Sequence, residues 1–144
     1  MTRIFLALTL VVLSLSGCVS SQHGQKLPSE AYDKVFYVER QPKDERNLAS
    51  NISNILNERG FNATHGERGS VPEDATHIVS YVDNWYWDMR MYLLNLKIEV
   101  RDRKSNYIIA YGESHQTSLA AMGKTHDDII NLALDEMISR GRVD

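Results

Sequence analysis

The sequence predicts an α+β two-layer sandwich: two helices on one face of a mostly antiparallel sheet of about four strands. Three observations carry this. Leu48, Ile52, Ile55 and Leu56 recur at helical spacing, and Ile130, Ala133, Leu134, Met137 and Ile138 do the same near the other end. Between them runs a series of segments with two-residue alternation. Helices kept apart from a run of strands in this way pack as one layer on another.

The elements follow in order. "KVFYVER" (Lys34–Arg40) is rich in β-branched and aromatic residues and reads as a strand that Gln41-Pro42 stops. Pro42 suits the first turn of a helix, and Asp44 and Glu45 suit the partial positive charge of that end. Gly60 in "RGF" is placed to cap the helix C-terminus. "NATHGERGSVPEDA" (Asn62–Ala75) reads as loop with a short strand at its start. "THIVSYVDNW" and "MRMYLLNLKIEVRD" read as strands. In the second, Tyr92, Leu94, Leu96, Ile98 and Val100 alternate with a set that turns polar, as in a half-buried antiparallel strand. "RKSN" turns the chain into a last strand, Tyr107–Ser118. Thr125 followed by Asp128 then resembles a capping box that starts the second helix, and Arg140-Gly141 stops it.

The chain's beginning has a different character. Arg3 precedes an apolar run of about 12 residues, Ile4 to Leu15, too short to span a bilayer and followed by small residues. These are the marks of a secretory signal peptide. Its end, Leu15-Ser16-Gly17-Cys18, resembles the bacterial lipobox. That resemblance implies cleavage before Cys18 and lipid, palmitate included, on the cysteine, with no other cofactor. Cys18 is the single cysteine, so acylation also explains an odd count in an exported chain. Val19, in place of an aspartate, implies by the same resemblance delivery to the outer membrane, facing the periplasm. Residues 1–17 are thus the expected leader, 18–31 a lipidated cysteine with a polar flexible tether, and 32–144 a single domain.

The formal charge of −3 becomes −4 once Arg3 leaves with the leader. A mildly acidic domain does not suit nucleic acid, whose phosphates demand a basic face. The sequence holds no Gly-x-Ser-x-Gly elbow, His-Glu-x-x-His helix or phosphate-binding glycine loop. His65, His77, His115 and His126 lack the close pairing of a metal site, so no metal is expected. Asp83 and Asp88 could serve hydrolysis only if held about 5–10 Å apart.

The densest stretch is "YVDNWYWDMRMYLL" (Tyr81–Leu94), which holds both tryptophans. Alternation puts Val79, Tyr81, Asp83 and Trp85 on one side of their strand. In the last strand it opposes Tyr107, Ile109, Tyr111, Glu113 and His115 to the small Ile108, Ala110, Gly112 and Ser114, which suit a close-packed helix. The expectation is therefore a helix-free face carrying Tyr81, Trp85, Tyr107 and Tyr111, with Asp83, Asp88 and Arg90 at its rim. Such a surface resembles an interface hot spot. In the competing reading the tryptophans plug a corner of the core and the aspartates bond turn backbone or Arg90.

The pattern Tyr81-x-Asp83-x-Trp85-x-Trp87-Asp88 with Tyr92-Leu93, together with the lipobox and Arg59-Gly60-Phe61, resembles small uncharacterised proteobacterial envelope lipoproteins. The expected function is a non-enzymatic binding or assembly accessory for an envelope protein or polymer. The alternatives are an immunity-type inhibitor of a toxin and an acid-based envelope hydrolase. A homodimer burying the aromatic face competes with the first.

Overall fold

The computed structural model describes residues 20–138. In chain order they form β1 (Ser20–Gln25), a 3-10 turn (Ser29–Ala31), β2 (Val35–Arg40), α1 (Leu48–Glu58), β3 (Asn62–Glu67), β4 (His77–Asp88), β5 (Arg90–Asp102), β6 (Ile108–Gln116), α2 (Ser118–Ala121) and α3 (His126–Met137). The leader and Cys18 lie outside the described residues.

The fold departs from the expected four-stranded antiparallel sandwich. All six strands join one mixed sheet, in the order β1-β6-β5-β4-β2-β3. β2 runs parallel to both β3 and β4, while β4-β5-β6-β1 is antiparallel throughout. The parallel pair β2-β3 is joined through α1, because parallel neighbours need a crossover connection. The segment expected as tether supplies β1, whose residues from Ser20 to Gln25 pair with Gln116 to Tyr111. Polar side chains are no obstacle at an edge, where backbone bonds recruit the strand.

α1 and α3 cover one face. Ile52, Leu56, Ile130, Leu134 and Met137 pack there against Phe36, Val38, Val79, Leu96, Ile98 and Val100. α3 approaches β6 so closely that a Cβ on Gly112 would lie 1.9 Å from the Ala133 carbonyl oxygen. Ala110, Gly112 and Ser114 of β6 therefore face a helix, as their sizes predict, whereas Ile108 does not: the β5-β6 register shifts between Val100 and Arg101 and leaves it exposed opposite Arg101. Gly60 caps α1 with φ of 86°. The Thr125–Asp128 capping box is complete, with both reciprocal bonds made. α1 begins later than Pro42 suggests: Asn47 takes the N-cap position with a left-handed φ of 56° and makes no side-chain cap. Asp44 does that work from outside the helix, accepting from the backbone N–H of Leu48 and Ala49 at 2.8 and 2.9 Å.

Two register shifts change which side chains are buried, one in β5-β6 between Val100 and Arg101 and a second at the β4-β5 hairpin. The β4-β5 register shifts between Asn84 and Trp85, so that Asn84 faces Asn95 while Trp85 faces Leu93. Leu94 is the extra residue of a bulge. Beyond it the alternation reverses: Leu93 is buried, in place of the expected Leu94.

Candidate functional site

The register decides which predicted site residues come together. Tyr81 faces Ile98, which faces Gly112, so all three lie on the helix side. Ser80 faces Glu99, which faces Tyr111, on the open side. The expected aromatic face is corrected accordingly, because Tyr81 and Tyr111 lie on opposite faces of the sheet. Tyr81 is core, only 4% exposed. Its hydroxyl donates to Asp44 Oδ2 at 2.9 Å and accepts from the Gln41 N–H at 3.3 Å. Burial, reinforced by the neighbouring carboxylates of Asp44 and Asp83 and only partly offset by the Gln41 bond, pushes the phenol far above its usual range.

Trp85 also lies on the helix side, not the open face. Its ring meets His126 edge-on at 4.9 Å, Arg46 stacks over it at 4.4 Å, and its indole N–H donates to Asp83. Trp85 thus has the corner position that the competing reading gave to both tryptophans, whereas Trp87 is exposed and Asp83 bonds the indole in place of turn backbone or Arg90. Asp83 and Asp88 lie five residues apart on extended strand, about 16 Å, so they cannot act as a carboxylate pair across one bond. Asp88 and Arg90 flank the tip of the β4-β5 hairpin. Arg90 stacks on Tyr92 at 4.7 Å and donates to the Met122 carbonyl at 2.6 Å. Tyr107 lies in the β5-β6 turn, exposed.

Of the seven predicted binding residues, Tyr111 stands in the body of the open sheet face, and Asp88 and Arg90 share its side only at the hairpin tip. The residues around Tyr111 are ones that sequence reasoning passed over. Lys97 lies 5.3 Å from the Tyr111 ring and bonds Glu99 at 2.7 Å. That bond, backed by the Glu99, Glu113 and Tyr111 charges and opposed by burial, raises the Lys97 ammonium above its usual range. Glu39 receives Arg68 at 3.6 Å and Arg101 at 3.5 Å. Where β2 ends and β4 continues, a hollow of about 350 Å³ opens, lined by Glu39, Arg40, Arg68, Ser80, Glu99 and Arg101 among others. The Nε of Arg101 is buried there without a partner among the described residues. A signal for this face existed in the sequence: Lys97, Glu99 and Arg101 alternate in sign at two-residue spacing.

His65 Nδ1 meets Ser53 Oγ at 2.9 Å, but that hydroxyl sits on a serine buried in α1 and already bonds the Ser50 carbonyl. His77 is buried against Phe36 at 5.2 Å. No three of the His, Cys, Asp and Glu side chains among the described residues converge as a metal site.

The fold resembles solved structures of PelC from Paraburkholderia phytofirmans, crystallised as a dodecamer. One superposes with a TM-score of 0.61 at 14% identity, covering 83% of this chain and 98% of that one. A point variant of the same protein superposes with a TM-score of 0.58 at 14% identity, over 82% and 95% of the two chains. At this identity the likeness is one of fold. No protein-family model matches the sequence, and no curated protein matches it.

Proposed function

We propose that this chain is a non-enzymatic accessory lipoprotein of the outer membrane, lipidated at Cys18, that offers the open face of its sheet to an envelope protein or polymer. The observation that supports this most directly is the asymmetry of the sheet. One face is sealed by α1 and α3; the other, beyond a small buried patch of Tyr37, Ala75 and Ile78, is a charged, aromatic-dotted surface with a shallow hollow and an arginine N–H that has no partner among the described residues. Ionic rows of alternating sign favour a partner with matching polar groups. Pull-down from crosslinked envelopes, comparing the wild type with a Lys97→Glu, Tyr111→Ala variant, tests the surface. A partner captured by the wild type and lost in the folded variant supports it. Identical captures move the binding site elsewhere. Palmitate labelling and a Cys18→Ser variant test the anchor, and gradient separation of the two membranes tests the sorting.

Self-association is a second reading. Each outer strand, β1 and β3, leaves one backbone edge unpaired among the described residues. Such edges are templates for pairing with another chain. The dodecameric PelC supports this by fold analogy. Light scattering on the purified chain gives the stoichiometry directly, and a monomer at all concentrations ends this reading.

A further inference from the structure

The large apolar residues left in water gather largely at one end of the molecule, and the sheet register shows which end. Ser20 faces Gln116, and the next residue of β6, His115, faces Asn95, which faces Asn84. The hairpin from Trp85 to Leu93 therefore runs past the start of β1 by four or five residues, about 15 Å at strand spacing. Its tip carries Tyr86, Trp87 and Met89, the last two 68% and 92% exposed. α2 follows β6 at the same end and adds exposed Leu119, with Met122 just beyond it. The Arg90 bond to the Met122 carbonyl ties this short helix to the hairpin. β1 runs away from this end, so Ser20, its first residue, stands on the side of the sheet nearest the hairpin. Cys18 is two residues upstream, no more than about 7 Å away along the chain.

From this juxtaposition we infer that the β4-β5 hairpin tip docks into the lipid bilayer that receives the Cys18 acyl chains. The inference rests on the anchored reading above. Trp87 and Tyr86 have the amphipathic rings that settle at headgroup depth, and Arg90 and Lys124, which line one hollow with Tyr92 at this end, supply cations for anionic headgroups. Met89 adds an independent mark. It sits at the apex with φ of 59°, a left-handed conformation that glycine or asparagine adopts more easily. An apolar side chain at such a position gains nothing for the fold, since it is almost wholly in water. Its gain lies in contact with something apolar. The end of the sheet that carries the anchor thus becomes the membrane side.

The test uses the full acylated chain, purified from membranes and reconstituted into vesicles of phosphatidylethanolamine and phosphatidylglycerol containing phosphatidylcholine brominated high on its acyl chains. Trp85→Phe leaves Trp87 as the single tryptophan, and Trp87→Phe leaves Trp85 as an internal reference. The expected result is a blue shift and bromolipid quenching of Trp87, with Trp85 unquenched. Met89→Asn, which relieves the apex, should fold at least as well and show weaker Trp87 quenching. Vesicle flotation without Trp87 quenching overturns the docking and leaves the anchor standing. A chain that carries no acyl group and does not float overturns both. A blue shift that depends on protein concentration and not on bromolipid overturns the docking in favour of a second copy as the occupant.

Discussion

Tyr81 and Asp44, 37 positions apart, share a buried hydrogen bond of 2.9 Å that ties the middle of β4 to the start of α1. The same carboxylate holds the N–H groups of Leu48 and Ala49. Tyr81→Phe leaves the helix cap short of one charge-assisted partner and should cost about 1–3 kcal/mol in urea unfolding. Asp44→Ala removes the cap itself, worth about 0.5–2 kcal/mol, and strands the hydroxyl as well. In a double-mutant cycle the two changes should be clearly non-additive. Additive costs would mean that the pair is not coupled.

Stability should fall in two acid steps. Burial holds the His77 imidazole below its ordinary value of 6.5, with Asp102 opposing and Lys34 assisting. The unfolded chain then takes up a proton that the folded chain refuses. This contribution is complete above 6.5 and declines as the pH drops, until the folded group also titrates. For Asp44, burial favours the neutral acid, but bonds from Ala49, Leu48 and Tyr81 outweigh it and hold the carboxyl below its ordinary 3.8. That contribution is present above 3.8 and lost as the pH falls through the folded value. Urea midpoints measured against pH should show both steps, and His77→Gln should erase the upper one.

Gly112→Ala should be among the most damaging single-methyl changes in the protein. The added carbon meets backbone, the Ala133 carbonyl, so α3 itself has to move. Overpacking of this kind costs about 1–3 kcal/mol or more. Thermal melts of Gly112→Ala beside Ala110→Gly separate overpacking from a general sensitivity of β6. An unchanged midpoint for Gly112→Ala would contradict the close approach.

The two tryptophans should behave as opposites. Trp85→Ala removes the ring between Arg46 and His126 and should cost about 1.5–3 kcal/mol, less than a fully buried tryptophan. Trp87→Ala removes an exposed ring and should stay within about 0.5 kcal/mol in solution. Calorimetry of both variants decides this; equal losses would mean that the hairpin tip is structural.

The amino-acid pattern alone determined the faces of both long helices, the capping box at Thr125, the Gly60 cap and the small side of β6. Each depends on neighbours within about a turn of helix or along one strand, so the information is local. β1 left no such mark, because a polar edge strand is held by backbone bonds and its side chains show no apolar alternation. Alternation tells which residues of a strand share a face. It does not tell which face of one strand continues which face of the next. That was decided by cross-strand register, which joins Tyr81 to Ile98 and Gly112 and sends Tyr111 to the other side. A shift of one residue inverts every such assignment, and the bulge at Leu94 makes that shift within a single hairpin. The open ionic face, the buried Tyr81 and the common end shared by β1 and the apolar hairpin tip are therefore products of tertiary pairing, because each is a relation between strands that no single segment contains.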